Sequence, residues 1–254
     1  MTTNVICRTQ KILASDSRWS TDPLADYPDC IAFVDDTGFD KLAVSRLYAL
    51  VFAGDGELIA RWKSWFLAPT LNFLNAPPVH RLIPDTNKLH SIVISLVKNS
   101  TGEVVFASGS FMAHRESARF AGSGAQFAKD CYAVNSCAKT AVATAGVSDP
   151  ATGGETKFVE LDTGKNNLTV MQTTLFDMKN ALEQRGYIMD IGTMKVTPIS
   201  EWQPNAGGTR QAIANAVASV SAPTGLPTRC WSDQEQNELM RALQQVAIEE
   251  GRTA

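Results

Sequence analysis

The sequence predicts an α+β fold in which β-sheets are packed between helices. The chain opens with two short apolar runs, at residues 3–8 and 11–15, which are typical of a β-hairpin. A continuous apolar run at residues 47–53 indicates a strand buried on both faces, and residues 57–67 then carry apolar side chains at helical spacing. Hairpins that alternate with helices in this way favour sheets sandwiched by helices.

Turn and helix signals place the other elements. Strands are predicted at residues 31–34 and 38–44, with a turn at residues 35–38 between them. The region after the first helix is rich in Pro and Asn and has weak periodicity, which predicts a loop over residues 69–90. The predicted elements that follow are hairpin strands at 91–97 and 103–108, an Ala-rich helical stretch from Gly124 to about Ala145, a strand at 156–161 and a helix at 168–186.

The composition changes near residue 196, which divides the chain into a domain at 1–195 and a C-terminal extension at 196–254. In the extension, prolines and glycines surround an Ala-rich helix at residues 209–220. A last helix is predicted to begin at the capping box Ser232-Asp233-Gln234-Glu235 and to end at Gly251. Its single apolar stripe favours packing on its own subunit, and the alternative is an inter-subunit clasp or a lid on the ring.

Charge and hydropathy exclude several classes of protein. The 254 residues have a formal net charge of −3, whereas binding to nucleic acid or to an anionic membrane needs a clustered excess of Lys and Arg. No apolar run is long enough for a transmembrane helix. The first residues lack the basic and apolar regions of a signal peptide, so we expect a cytoplasmic protein.

Common catalytic motifs are absent from the sequence. It contains no P-loop, no HExxH and no GxSxG, and the three histidines His80, His90 and His114 lack the spacing of metal ligands. The five cysteines are scattered without a CxxC pair, which favours reduced thiols over a zinc site or a disulfide framework. A hydrolase built from this chain would therefore need a general base other than His.

The second residue offers such a base. Removal of Met1 would leave Thr2 with a free α-amine beside its own hydroxyl. An α-amine has a pKa of about 7.7–8.0, so a useful fraction is neutral near pH 7 and can accept the hydroxyl proton. A threonine with its own terminal amine as base can replace the Ser-His pair of other hydrolases.

A cation is also needed to stabilise the alkoxide that forms on such a hydroxyl. Lys41 is the only lysine between Lys11 and Lys63, and it follows a predicted turn. A buried lysine needs a carboxylate to keep it charged and oriented, and Asp16 lies at the end of the first hairpin. Thr2, Lys41 and Asp16 are therefore candidate catalytic residues.

Together with these residues, five segments over residues 2–162 resemble proteasome β-subunits and the bacterial HslV peptidase in their order and spacing. The segments are Thr2-Thr3-Asn4-Val5, Ala14-Ser15-Asp16-Ser17-Arg18-Trp19-Ser20, Lys41-Leu42 with Leu50-Val51-Phe52-Ala53-Gly54-Asp55, Ala121-Gly122-Ser123-Gly124, and Ser148-Asp149-Pro150-Ala151-Thr152-Gly153-Gly154. The long tail further suggests a diverged bacterial proteasome homologue, of the betaproteobacterial type or Anbu-like.

The resemblance implies an N-terminal nucleophile (Ntn) hydrolase fold, a four-layer αββα sandwich, with subunits assembled into stacked rings that enclose the active sites. It also implies catalytic roles. Thr2 would be the nucleophile and, through its amine, the base. Asp16 would orient Lys41, and Lys41 would lower the pKa of the Thr2 hydroxyl.

Further roles follow from the same resemblance. Ser123, Asp149 and Thr152 would form hydrogen bonds around the terminal amine. The backbone N–H near Val51 would form the oxyanion hole, and Ala49 and Ala53 would contribute to the specificity pocket. The family usually has glycine at the position of Val51, whereas this chain has a side chain there.

The leading hypothesis is a threonine endopeptidase that acts through an acyl-enzyme without a metal or organic cofactor. Its expected partners are an unfolded polypeptide or peptide substrate, other copies of the chain in a homo-oligomeric ring, and an ATPase unfoldase. One alternative is a non-catalytic ring or scaffold protein that keeps the fold for assembly. The other is an amidohydrolase of the same fold that acts on a small molecule.

Overall fold

Six α-helices and two antiparallel sheets make up the described part of this chain, a mixed α+β structure. The computed structural model describes residues 2–83, 87–109, 111–169, 173–203, 209–225 and 227–253. The helices are α1 (Gly56–Leu67), α2 (Ala125–Asn135), α3 (Ala138–Ser148), α4 (Leu175–Arg185), α5 (Thr209–Val217) and α6 (Asp233–Glu250). The strands are β1 (Asn4–Cys7), β2 (Ile12–Ser15), β3 (Trp19–Ser20), β4 (Cys30–Val34), β5 (Leu42–Val44), β6 (Tyr48–Asp55), β7 (His80–Leu82), β8 (Leu89–Lys98), β9 (Glu103–Ala107), β10 (Met112–His114), β11 (Ala118–Ala121), β12 (Lys157–Glu160), β13 (Tyr187–Asp190), β14 (Val196–Pro198) and β15 (Ser221–Ala222).

The first sheet holds the start of the chain between two neighbouring strands. Its spatial order is β10-β11-β1-β2-β12. β1 and β2 form the predicted N-terminal hairpin, with Asn4 opposite Ser15. On its other side β1 pairs with β11, and Asn4 lies opposite Ala121. Because both of its edges are hydrogen-bonded, β1 is fixed rather than frayed.

The two faces of this first sheet bury different neighbours. Side chains alternate along a strand, so Val5 and Ala14 face α2 and α3, where they join a buried cluster with residues of both helices. Ile6 and Leu13 face the other way and pack in a cluster with Val51 of the second sheet. Each fully buried aliphatic side chain of this size contributes about 1.5–3 kcal/mol.

The second sheet carries the longest buried strand. Its main path runs β14-β13-β4-β3-β15-β6-β8-β7, while β5 pairs with β6 and β9 pairs with β8. All eight residues of β6 are buried, which confirms the prediction from the apolar run at 47–53. The two-residue strand β15 lies between β3 and β6, with Ser221 opposite both Ser20 and Asp55.

The last helix begins and ends as predicted. The Ser232 hydroxyl accepts a hydrogen bond from the N–H of Glu235, and the Glu235 carboxylate accepts one from the N–H of Ser232. Gly251 ends the helix in the left-handed conformation, at φ 69°. The apolar stripe of α6, including Leu239 and Leu243, packs into the large core of its own chain. None of the helices in the described ranges is both long and apolar enough to span a bilayer.

Some sequence predictions differ from the structure. The segment predicted as a loop at 69–90 contains β7, since Pro and Asn mask a short strand that pairs with β8. The Ala-rich helical stretch is two helices, because Ser136 adopts a left-handed φ of 54° between α2 and α3. The strand predicted at 38–44 is shorter and pairs with β6 rather than with β4.

Two predicted helices are shorter than expected. The helix predicted at 168–186 begins only at Leu175, after a capping box in which the Thr174 hydroxyl accepts the N–H of Asp177. Residues 170–172 of that prediction lie outside the described ranges. The helix predicted at 209–220 ends at Val217, and the chain then turns into β15.

A charge cluster around the buried side chains of His90 and Asp55 ties the beginning of α1 to the second sheet. His90 Nδ1 lies 3.1 Å from Asp55 Oδ2, and its Nε2 lies 3.4 Å from Asp22 Oδ2. Arg81 donates two hydrogen bonds of 2.8 Å to Asp55, and Lys88 contacts Asp22. Burial lowers the pKa of His90, but Asp22 and Asp55 outweigh it and raise that pKa from 6.5 to about 9.

This cluster predicts a pH dependence of stability. Because the pKa of His90 is higher in the folded protein, its contribution is complete below pH 6.5 and is lost as the pH rises through 9. Relative to the His90→Gln variant, the free energy of unfolding of the wild-type protein should fall by about 3 kcal/mol across that window. Urea denaturation below pH 6.5 and above pH 9 measures the difference. Parallel pH profiles for the two proteins would contradict the expectation.

Candidate active site

The register of the N-terminal strands brings the candidate catalytic residues to the beginning of the chain. Asn4 pairs with Ser15, so the residues one step beyond, Thr3 and Asp16, lie side by side. Asp16 donates its N–H to the carbonyl of Thr3 at 3.2 Å, and Thr3 donates its N–H to Asp16 Oδ1 at 2.9 Å. Thr2 and Thr3 have no exposed surface. The hairpin therefore delivers a carboxylate directly to Thr2.

Thr2, Asp16 and Lys41 form one buried hydrogen-bonded group. The Thr2 hydroxyl donates to Asp16 Oδ1 at 2.5 Å, and the Lys41 ammonium donates to Thr2 Oγ1 at 2.8 Å. Lys41 also donates to Asp16 Oδ1 at 2.9 Å, and the side chain of Lys41 has no exposed surface. The structure thus brings together the three residues that the sequence proposes as a catalytic set.

Burial and charge act in opposite directions on the ammonium. Removal from water lowers the pKa of Lys41 below its ordinary value of 10.5, and the adjacent Asp16 carboxylate works against that effect. An ammonium in a fully buried site interacts strongly with an anion, because the local dielectric constant is low. Lys41 is therefore placed to stabilise negative charge on Thr2 Oγ1.

Backbone donors hold the Asp16 carboxylate in place. Its second oxygen, Oδ2, accepts the N–H groups of Arg18 and Gly153, each at 3.2 Å. Together with Lys41 and Thr2, these donors satisfy both carboxylate oxygens. Hydrogen bonds of this kind fix the orientation of the carboxylate.

Lys41 is positioned by the pairing of β5 with β6. It immediately precedes β5, and its carbonyl accepts the N–H of Phe52 at 3.0 Å. The Trp19 ring lies 5.4 Å from the Lys41 ammonium, and the indole N–H of Trp19 donates to the carbonyl of Phe39 at 2.8 Å. The main chain on both sides of Lys41 is thus tied to two strands of the second sheet.

A second polar group forms on the other side of Thr2 and Thr3. Ser123 follows β11, which pairs with β1, and its hydroxyl donates to Asp149 Oδ2 at 2.5 Å. Thr152 donates to the same oxygen at 2.6 Å, and the hydroxyls of Thr3 and Thr152 lie 2.8 Å apart. Since Thr152 uses its single proton on Asp149, Thr3 must donate to Thr152. Ser123, Asp149 and Thr152 therefore converge next to the start of the chain.

Two glycines permit this convergence. A Cβ on Gly124 would lie 2.0 Å from Thr3 Oγ1, so a larger residue would displace the second polar group. A Cβ on Gly122 would lie 2.0 Å from the carbonyl oxygen of Thr2, and Gly122 also has a φ of +93°. The Gly-Ser-Gly segment thus combines a left-handed turn with close approach of two main chains.

The predicted oxyanion and pocket residues lie along β6. Ala49 and Val51 are buried between the sheets with Ile6, and Ala53 is also buried. N–H groups alternate between the two edges of a strand. Phe52 donates to Lys41 on the β5 side, so the N–H of Val51 faces β8, where Val51 lies opposite Ser95.

The same alternation identifies a residue that sequence reasoning missed. Gly56 donates its N–H to the carbonyl of Val220, so the N–H of Gly54 also faces β15, where Gly54 lies opposite Ala222. Gly54 has a φ of +110°, and a Cβ there would lie 2.3 Å from the carbonyl oxygen of Ser91. This geometry favours Gly54 over Val51 as a backbone donor at that edge of β6. The sequence analysis includes Gly54 only in the segment Leu50-Val51-Phe52-Ala53-Gly54-Asp55, where Val51 rather than Gly54 is the predicted donor.

Arg18 is another residue that the sequence analysis did not select. Its guanidinium donates two hydrogen bonds of 2.8 Å to Asp35 and one of 2.8 Å to the carbonyl of Pro150. It also lies 3.9 Å over the Phe33 ring. Arg18 thereby holds the loop that carries Thr152 against the second sheet. Its position two residues after Asp16 is a signal that could have identified it.

A cavity of about 850 Å³ adjoins the segment that carries Lys41. Phe39 and Leu42 line it from that segment, and Lys63 lines it from α1. Burial lowers the pKa of Lys63 to about 8, and Lys63 contacts the carbonyl of Asp40. Ala49 and Ala53, the predicted pocket residues, do not line this cavity.

Neither a metal site nor a match to a known protein assigns a role to the residues described above. No group of three or more His, Cys, Asp or Glu side chains in the described ranges is arranged to hold a metal ion. The five cysteines are all free. No protein-family model matches the sequence, and no curated protein matches it.

Proposed function

We propose that this protein is a threonine peptidase of the N-terminal nucleophile class, with a four-layer αββα arrangement. The observation that carries the proposal is the 2.8 Å contact between the Lys41 ammonium and Thr2 Oγ1, in a buried site that also holds Asp16. The arrangement of layers is supported by the apolar cluster between the two sheets and by helices α2 and α3 on the outer face of the first.

In the proposed reaction, Thr2 supplies both nucleophile and base once Met1 is removed. The Thr2 hydroxyl donates to Asp16 in this structure. A free α-amine has a pKa of about 7.7–8.0, so near pH 7 a useful fraction is neutral and accepts that proton directly or through a water. Thr2 Oγ1 then bonds to the carbonyl carbon of the substrate, whose π electrons move to the oxygen. Lys41 stabilises the charge on Oγ1 as the proton leaves.

Breakdown of the tetrahedral intermediate completes the acylation. The electrons return from the oxygen, the C–N bond breaks, and the α-ammonium gives its proton to the departing amine. The acyl group is now an ester of Thr2. Water then attacks the ester carbonyl while the amine accepts a proton from the water. The C–Oγ1 bond breaks as the carbonyl re-forms, and the α-ammonium returns the proton to Oγ1, which releases the carboxylic acid and restores the Thr2 hydroxyl.

The second polar group is assigned to the amine. Asp149 accepts hydrogen bonds from Ser123 and Thr152, and Thr152 accepts one from Thr3, the residue next to Thr2. A chain of hydroxyls that ends in a carboxylate can orient an ammonium and stabilise its charge. We assign Ser123, Asp149 and Thr152 to holding the α-amine as it gains and loses the proton.

The substrate class is a peptide or an unfolded polypeptide. Stacked homo-oligomeric rings and an ATPase unfoldase remain predictions, as does a cytoplasmic location. The residues assigned here carry out every step without a metal or organic cofactor. A second candidate is a non-catalytic scaffold of the same fold, which would need no access to Thr2; Thr2 is fully buried in the chain that still carries Met1.

Substitution of Thr2 separates the two candidates. Thr2→Ala removes the nucleophile and should lower peptide hydrolysis by roughly 10³-fold or more, while Thr2→Ser retains a hydroxyl and should keep measurable turnover. Initial rates on a library of fluorogenic peptides measure both variants, and intact mass shows whether Met1 is removed. Measurable turnover that is equal in wild-type protein and in Thr2→Ala would rule out the peptidase mechanism. The scaffold would be favoured if wild-type protein and Thr2→Ser show no turnover and if Gly225→Val and Ser221→Pro, which should loosen β15, show none either.

A further inference from the structure

A segment of the C-terminal extension occupies the gap between two strands that border the candidate active site. β15 pairs with β3 through Ser221 and Ser20, and with β6 through Ser221 and Asp55. Gly56 donates its N–H to the carbonyl of Val220 at 3.0 Å. β3 follows Asp16 by three residues, and β6 lies beside Lys41 through β5. The gap is thus flanked by the segments that carry two of the three candidate catalytic residues.

The same segment continues from the gap to the second polar group. Pro223 follows β15, and since proline has no N–H the strand pairing ends there. Gly225, three residues beyond Ala222, has a φ of +70° and approaches Ser123 so closely that a Cβ would lie 2.8 Å from Ser123 Cα. At its other end the Ser219 hydroxyl accepts the N–H of Asp22 at 3.1 Å. Residues 219–225 therefore pass from the sheet to Ser123, and we call them the strap.

The strap is bound as an extended peptide would be. Peptides commonly bind proteins by adding a strand to an open sheet edge, where main-chain hydrogen bonds supply affinity and small pockets supply selectivity. β15 does this on two edges at once, with the small side chains of Ser221 and Ala222 buried. In the chain that still carries Met1, Thr2 has no exposed surface, and residues 219–225 border the site from β6 to Ser123.

We propose that the strap is an autoinhibitory strand that occupies the peptide-binding groove of this enzyme. An extended peptide substrate and the strap compete for the same edges of β3 and β6, and only molecules with a displaced strap react. This inference rests on the proposed peptidase function. It adds that the state with the strap paired to β3 and β6 is the resting state of the enzyme. It also adds that the substrate binds as an antiparallel strand with small side chains opposite Gly54 and Asp55.

The glycine at the end of the strap allows a matched test. In Gly225→Val the new side chain meets the main chain of Ser123, which pushes the strap away from the site. Gly164 has the same φ of +70° and nothing within 4 Å, so Gly164→Val carries the same conformational strain without the clash. We expect Gly225→Val to raise kcat/KM for unstructured peptides by about tenfold over wild-type protein, with Gly164→Val unchanged. Equal kcat/KM for both variants would count against the strap.

A second variant and a binding measurement keep the inference testable without catalysis. Ser221→Pro removes a backbone N–H from β15 and should release the strap from the sheet. A fluorescein-labelled peptide that copies residues 219–225 should then bind Ser221→Pro at least about tenfold more tightly than wild-type protein, as measured by fluorescence anisotropy. Equal binding to both proteins, together with unchanged turnover in Gly225→Val, would overturn the strap.

The outcomes separate this inference from the proposed function. Wild-type turnover that depends on Thr2 but is unaffected by either strap variant leaves the peptidase intact and removes the strap. Tighter binding of the copied peptide by Ser221→Pro, with no hydrolysis in any variant, keeps the groove and its occupant but removes the peptidase.

Discussion

Substitution of Lys41 by methionine is expected to lower kcat for peptide hydrolysis by about 10³-fold, with a much smaller change in KM. Lys41 is the only cation within hydrogen-bond distance of Thr2 Oγ1 among the described residues, at 2.8 Å. Methionine keeps most of the side-chain volume but removes the charge that stabilises the alkoxide. Because the interaction is strongest when Oγ1 is negative, its loss affects the transition state more than substrate binding.

The chain contains a matched control for this variant. Lys63 is also a largely buried lysine, but its ammonium contacts the carbonyl of Asp40 and lies 4.7 Å from the centre of the Phe39 ring. Lys63→Met should therefore leave kcat within about threefold of wild type, although both variants lose a buried cation. Similar losses of kcat in both would show that Lys41 acts through stability alone. Thermal denaturation of each variant, followed by circular dichroism, measures that contribution.

Substitution of Gly122 by alanine is expected to damage both stability and catalysis. The new Cβ would lie 2.0 Å from the Thr2 carbonyl oxygen and 2.7 Å from its carbon, so the main chain of Thr2 must move. We expect a loss of about 2–4 kcal/mol in the free energy of unfolding, from the left-handed conformation and the clash together. A shift of about 1 Å at the nucleophile should also lower kcat by about 10²-fold.

Gly164→Ala separates the two contributions to the Gly122 effect. Gly164 has a φ of +70° but no atom within 4 Å of its ideal Cβ, so alanine there carries only the conformational strain, of roughly 1–2 kcal/mol. Urea denaturation and initial-rate kinetics on both variants provide the comparison. Equal stability and equal kcat in Gly122→Ala and Gly164→Ala would mean that Thr2 is not confined by the Gly-Ser-Gly turn.

Local chemistry in the sequence predicted much of the fold. The N-terminal hairpin, the buried strand β6 and the capping box of α6 each depend on residues close together in the chain, and each is present. Errors arose where tertiary contacts decide the structure. β15 has only two residues, so it carries no periodicity, and its place between β3 and β6 depends on strands about 165–200 positions earlier in the chain.

In the candidate site, too, some features follow from the sequence and others depend on tertiary contacts. Thr2, Asp16 and Lys41 could be proposed from the sequence because each residue type is required by the chemistry and the resemblance supplied their order. The orientation of an N–H along β6 depends on which neighbours pair with that strand, so sequence could not distinguish Gly54 from Val51. The position of Arg18 near Asp16 marks it as a candidate, but its contact with Pro150, more than 130 residues away, depends on the folded structure.

The central claim is that the hydroxyl and the free amine of Thr2 act together. A peptide epoxyketone tests both groups at once, because the hydroxyl adds to its ketone and the amine opens its epoxide to give a stable six-membered ring. Peptide-mapping mass spectrometry of treated wild-type protein and of treated Ser221→Pro should find a single adduct on a peptide that begins at Thr2. An adduct on any other residue, or retained Met1 with no adduct in either protein, would contradict the claim.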